Sequence, residues 1–125
     1  MNKNDEITNN VEVMDSRDIN DRIEYLESLE NDEIDDYEEE ELGKLSEFRK
    51  EMKDRFSDWD DGMTLIRDSY FNGDFAEDEA VDMGLVDRNN LNNWPLTQID
   101  WDEAAEDLKQ DYTSINFDGE TYWVR

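Results

Sequence analysis

The chain contains no histidine, no cysteine and a single proline. Without the first two there is no thiol nucleophile, no serine–histidine relay, no zinc or iron–sulfur site of the usual ligands, and no disulfide. The lack of cysteine fits a reducing compartment. Positive charge is scarce as well. Twelve Lys and Arg stand against thirty-eight Asp and Glu, a net charge of −26 over 125 residues. A protein that grips nucleic acid must bring cations to displace counterions, so the composition argues against direct nucleic-acid binding. The same deficit argues against an anionic membrane surface. No apolar run approaches membrane length, and the Asn- and Asp-rich beginning has no signal-like apolar stretch. A soluble, cytoplasmic protein without cofactor or metal is expected.

Leu, Ile, Val and Phe make up only 26 of the 125 residues, a composition at the border of disorder for so high a charge. The aromatics decide for a fold. Ten of the fourteen Trp, Tyr and Phe lie from Trp59 onward, which marks an ordered C-terminal half. One domain with a helical appendage is what the length allows.

Residues 1–15 lack periodicity and read as a flexible acidic arm. Ser16 or Asp18 can cap a helix with Ile19, Ile23, Leu26 and Leu29 on one face. An acidic connection follows, nine of twelve residues over 30–41, and then a second helical pattern through Leu42, Leu45, Phe48, Met52 and Phe56. The two form an antiparallel helical hairpin over 16–57. Residues 58–125 read as a small α+β domain. Residues 64–71 have the β-branched and aromatic content of a strand between Gly62 and Asn72-Gly73. Residues 74–83 form a helix with Phe75, Ala76, Ala80 and Met83 inward, stopped by Gly84. An Asn-rich loop over 87–98 holds Trp94 and Pro95. Asp100, with Glu103 three residues on, caps a helix that turns Trp101, Ala104, Ala105 and Leu108 inward. Residues 112–117 and 120–124 flank Asp118-Gly119, a strong hairpin signal. The fold class is therefore α+β: a helical hairpin, then a short antiparallel sheet ending in a β-hairpin.

The acidity does not sit in one tail. Residues 1–43 carry −14, residues 44–67 are neutral and residues 68–125 carry −12. Within helices it is patterned. Asp74, Asp78 and Asp82 recur every four residues, about 6 Å apart along the axis, with Glu77 beside them. Asp102 and Glu106, and Glu103 and Asp107, repeat the step on the next helix, and Glu24, Glu27 and Glu30 follow a three-residue step. Like charges so spaced destabilise a helix by a few tenths of a kcal/mol per pair, and a net charge of about 2–8 already keeps a small domain dissolved. The surplus therefore points to function. Duplex DNA carries a charge every ~1.7 Å, so 26 charges match roughly 44 Å of duplex.

Other chemistry is weaker. With thirty-eight acids, some carboxylate pair at any glycosidase-like spacing is guaranteed and carries no weight; no catalytic residue is assigned. The one loop with EF-hand character, from Ser57 to Gly62, puts Trp59 at a ligand position, which rules it out. Trp101, Tyr122 and either Ile115 or Phe117 are expected in the core, and Trp94 is open between core and interface.

The segment Ile99-Asp100-Trp101 with Ala105 and Leu108 resembles the last domain of the ArdA-type antirestriction proteins. So do the aromatic pair Tyr70-Phe71, the acidic helix ending in Met83-Gly84-Leu85, and the closing hairpin. The likeness covers about residues 59–125, and the wider stretch from Leu65 to Arg125 is similar to small phage-encoded relatives. In place of the family's preceding domains stands the acidic hairpin of residues 17–57. The resemblance implies an acidic DNA mimic from a phage or mobile element. It would act in the host bacterial cytoplasm by occupying the DNA groove of a type I restriction-modification enzyme, and it implies a homodimer. The helix-face argument places the phosphate-like charge on Asp74, Glu77, Asp78, Asp82, Asp102, Glu106 and Asp107, with Glu24, Glu27 and Glu30 added from the hairpin. A DNA mimic aimed at an RNA-guided nuclease, a repair glycosylase or a nucleoid protein needs the same field. A different class, a phage interaction or assembly protein docking through the helical hairpin, is the alternative.

Overall fold

The computed structural model describes residues 6–30 and 32–125. Strand β1 (Val13–Asp15) leads directly into helix α1 (Ser16–Ser28), and helix α2 (Asp36–Arg55) follows. Then come β2 (Thr64–Arg67), α3 (Gly73–Asp82), α4 (Trp101–Leu108) and the hairpin of β3 (Thr113–Phe117) and β4 (Glu120–Val124). The four strands form one antiparallel sheet in the order β1-β2-β4-β3. The α+β class stands.

Strand alternation sends side chains to opposite faces and so divides the interior in two. Met14, Leu65, Ile115, Phe117, Tyr122 and Val124 meet Ile19, Ile23 and Leu26 of α1 and Leu45, Phe48 and Met52 of α2. On the other face Ile66, with Trp123 packed beside it, meets Phe71, Phe75, Ala76 and Ala105. The molecule is a three-layer sandwich: α1 and α2, the sheet, then α3 and α4. Residues 16–57 and 58–125 thus share the first core, with no break in packing between them.

The N-terminal arm differs from expectation over its described part. Ile7 is buried in the first core, and residues 13–15 form an edge strand with Met14 opposite Leu65. Residues 1–5 of that arm lie outside the described residues. The first helix is capped neither by Ser16 nor by Asp18: Asp15 accepts from the Arg17 N–H at 2.8 Å. Ser16 is instead buried, where its hydroxyl donates to the Trp59 carbonyl and accepts from the Met63 N–H. The connection is also shorter. α2 begins at Asp36 because Asp35 and Glu38 form a capping box, and acids in the first turn with Lys53 and Arg55 in the last suit the helix dipole. Residues 36–41 are therefore helical.

Residues 64–71 are a strand only to Arg67. A tight turn, Asp68–Tyr70, follows, fixed by Trp123 Nε1 donating to Asp68 at 2.8 Å, and it delivers Phe71 into the second core. Met83 is 60% exposed, not inward. It sits at the C-cap, beyond the last turn, where Leu85 N–H bonds to the Ala80 carbonyl and Gly84 N–H to that of Val81. This closure is a Schellman motif, and Gly84 adopts the required φ of +75°. At the other hairpin Asp118 and Gly119 both have positive φ, a type I′ turn as Asp-Gly predicts.

Candidate partner-binding surface

The acidic faces of α3 and α4 are positioned by their first turns. Asn72 caps α3 by accepting from Phe75 N–H at 3.2 Å. Asp100 caps α4 by accepting from Glu103 N–H at 3.1 Å, so its charge is tied to the backbone as expected. The two helix beginnings touch. Asp102 accepts from Gly73 N–H at 3.1 Å. A Cβ on Gly73 would lie 2.5 Å from that carboxylate oxygen and 3.1 Å from the Asp102 backbone nitrogen. Glycine at 73 is what lets α4 approach.

With that geometry Asp74, Asp78 and Asp82 are exposed along α3, with Glu77 half-buried beside them. Asp102, Glu106 and Asp107 are exposed on α4. Two of these charges have a cation: Arg88 reaches Asp78 at 3.2 Å and Lys109 reaches Glu106 at 3.2 Å. Among the described residues no ion pair reaches Asp74, Glu77, Asp82 or Asp107. Surface pairs of this kind contribute little and leave the local field negative.

Glu24, Glu27 and Glu30 are also exposed, but they belong to α1 and the turn after it, across the sheet from α3 and α4. The ten carboxylates therefore form two groups on opposite outer layers, seven and three, and not one array. The three have neighbours that spacing within α1 did not reveal. Asp36, Glu39 and Glu40 are exposed on α2 of the same layer. The Asp35-x-x-Glu38 pattern was the signal that could have placed them on a helix. Arg49 lies 3.8 Å from Glu27.

Glu30, Asp32 and Glu33 bring carboxylate oxygens within 4.8 Å of one another, all exposed at the α1–α2 turn. Among the described residues Glu41 is the one buried acid, and every buried side-chain polar atom there has a hydrogen-bond partner. Trp59, the residue that broke the EF-hand pattern, is 1% exposed. Tyr122 is a core residue as expected, Ile115 and Phe117 are both core where one of the two was expected, Trp101 is only partly buried at the edge of the second core, and Trp94 is 79% exposed. No described helix is long and apolar enough to cross a membrane.

Comparison with protein-family models, with curated proteins and with solved structures finds no match for this chain.

Proposed function

We propose that this protein is a DNA mimic that inhibits a host DNA-binding defence enzyme, with a type I restriction-modification complex as the preferred target. The observation that carries this reading is where the acids go. The fold buries one described acid and satisfies it, and leaves the other described acids exposed or half-exposed, on both helical layers and on the strands and loops between them. A surface this negative is drawn to a basic DNA groove by long-range attraction and offers no bond to cut. The α3–α4 layer is the primary contact, since seven of the ten assigned carboxylates share it.

The apolar stripe of the helical hairpin supports this reading over docking through that hairpin. Ile19, Ile23, Leu26, Leu45, Phe48 and Met52 are all spent against the sheet. What the hairpin shows a partner is mostly charge.

The test is inhibition of DNA cleavage by a type I complex, with duplex DNA as competitor. The natural protein inhibits, and added duplex or salt relieves the inhibition. A variant combining Asp74→Asn, Asp78→Asn and Asp82→Asn inhibits more weakly. Full inhibition by that variant removes the α3 assignment. Recovery from lysate of partners that resist both DNA and salt removes the mimic reading.

A further inference from the structure

The two edges of the sheet differ. β1 is three residues long and ends at Asp15, which Arg17 engages. β3 forms the other edge with five residues, none of them charged in a chain that is 40% charged. The two-residue turn at Asp118-Gly119 makes Phe117 and Glu120 a hydrogen-bonded pair. The alternation then bonds Ile115 to Tyr122 and Thr113 to Val124. The backbone N–H and C=O groups of Ser114 and Asn116 therefore point away from β4. Among the described residues no backbone partner reaches them, and both residues are exposed. Natural edge strands are guarded by a charge, a proline or a bulge, and β3 has none of these.

We infer that β3 accepts a further strand from a protein partner, an extended segment with lysine or arginine at alternate positions. Charge selects that occupant. Between the β3 edge and α2 lies an open cavity of about 250 Å³, whose charged lining is Glu47, Glu51, Asp118 and Lys44. Lys44 is engaged by Asp118 at 3.3 Å and by Glu40 at 3.6 Å. Among the described residues no ion pair reaches Glu47 or Glu51, both exposed, and Lys50 and Arg55 do not line the cavity. Same-face side chains of an extended strand stand about 6.8 Å apart, close to the step of about 6 Å between Glu47 and Glu51. A second copy paired edge to edge about a two-fold axis would keep both α2 helices on one side of the sheet. Its Glu47 and Glu51 would meet their own counterparts, in addition to the −26 on each chain.

The inference goes beyond the mimic reading and does not depend on it. The carboxylates assigned to mimicry lie on α1 and the turn after it, on α3 and on α4, and none of them lines this cavity. Strand addition draws affinity from main-chain hydrogen bonds and specificity from alternate side chains. Ser114 and Asn116 supply the first here, and Glu47 and Glu51 the second.

The experiment follows amide hydrogen exchange at Ser114 and Asn116 by NMR. A polycation is drawn to every face of so acidic a chain, so the readout is kept at the strand itself. Three short peptides are compared: alternating lysine and threonine, the same peptide with every backbone nitrogen methylated, and alternating glutamine and threonine. At equal concentration the first is expected to slow both amides about tenfold, and the other two to leave them unchanged. Combining Glu47→Gln with Glu51→Gln should weaken the lysine peptide about fivefold, the effect of losing two surface ion pairs. Slowing by the methylated peptide, or by none of the three, overturns strand addition. Equal slowing by the glutamine peptide, or undiminished affinity in the double variant, overturns the choice of a cationic occupant. Slowing that grows with protein concentration in the absence of peptide gives the edge to a second copy and overturns the proposal as well. Each of these results leaves the mimic reading where it stands, because its own test is inhibition of cleavage.

Discussion

Arg22 and Glu41 form a two-pronged ion pair inside the protein. Nε meets Oε2 at 2.7 Å and Nη2 meets Oε1 at 2.8 Å, with both side chains less than a tenth exposed. The Ile7 N–H donates to the same Oε2 at 3.2 Å. One carboxylate thus joins α1, α2 and the segment before β1. Bidentate geometry and the added backbone donor offset the desolvation of both charges. The guanidinium is held above its ordinary pKa, chiefly by its hydrogen bonding to Glu41.

Breaking this pair from one side leaves an uncompensated charge indoors. Glu41→Gln is expected to cost about 3–5 kcal/mol, a large part of the stability of a domain this size. The double variant Arg22→Met with Glu41→Leu should cost much less, because neither charge remains. Urea midpoints of the two variants decide the matter, and equal losses would show that the site needs its shape more than its charge balance.

Tyr122 predicts the alkaline limit of stability. It is fully buried, its hydroxyl donates to the Val11 carbonyl, and burial pushes its pKa up to about 12. The unfolded chain ionises near pH 10 while the native one does not, so stability is complete below pH 10. It falls between about 10 and 12, by roughly 2–3 kcal/mol in all. Tyr122→Phe should flatten that slope. Denaturant midpoints over this range give the answer, and an unchanged slope in the variant would assign the alkaline loss elsewhere.

Gly73 predicts a packing defect. Gly73→Ala places a methyl against the Asp102 and Trp101 backbone, and α4 must move away. Overpacking of this kind costs about 1–3 kcal/mol. Asp102→Ala, which removes only the acceptor for Gly73 N–H, should cost about 1 kcal/mol. Thermal melts separate the two, with Gly73→Ala expected to melt lower.

Salt should act in opposite directions on the free protein and on its complex. Raising NaCl from about 0.01 M to 1 M shortens the screening length from about 30 Å to 3 Å, which relieves self-repulsion and raises the melting temperature. The same change weakens a complex built on attraction. Neutralising Asp74, Asp78 and Asp82 together should leave the protein as stable as before or slightly more so, because like charges four apart repel. A variant that both inhibits less and melts lower would trace its defect to folding.

The sequence by itself determined the features that close within a turn or two of chain. The Asp100 cap, the stop at Gly84 and the Asp118-Gly119 turn each depend on bonds between residues a few positions apart. The α+β class follows from the same local signals. Helical spacing alone keeps eight of the ten assigned carboxylates off the apolar stripe; Glu77 is half-buried and Glu30 lies in the turn after α1. Even the start of α2 was written locally, in Asp35 and Glu38, but the density of acids around it hid the cap.

Only the tertiary structure decided the rest. Strand β1 is three residues long, too short for alternation to show, and its partner Leu65 lies far along the chain. Glu41 looks like its neighbours in the acidic run, and only the approach of α1 makes it the buried one. The placement of Glu24, Glu27 and Glu30 across the sheet from α3 and α4 depends on which face each helix pair covers. Periodicity fixes which side of a helix faces inward; which elements face each other depends on packing between distant segments.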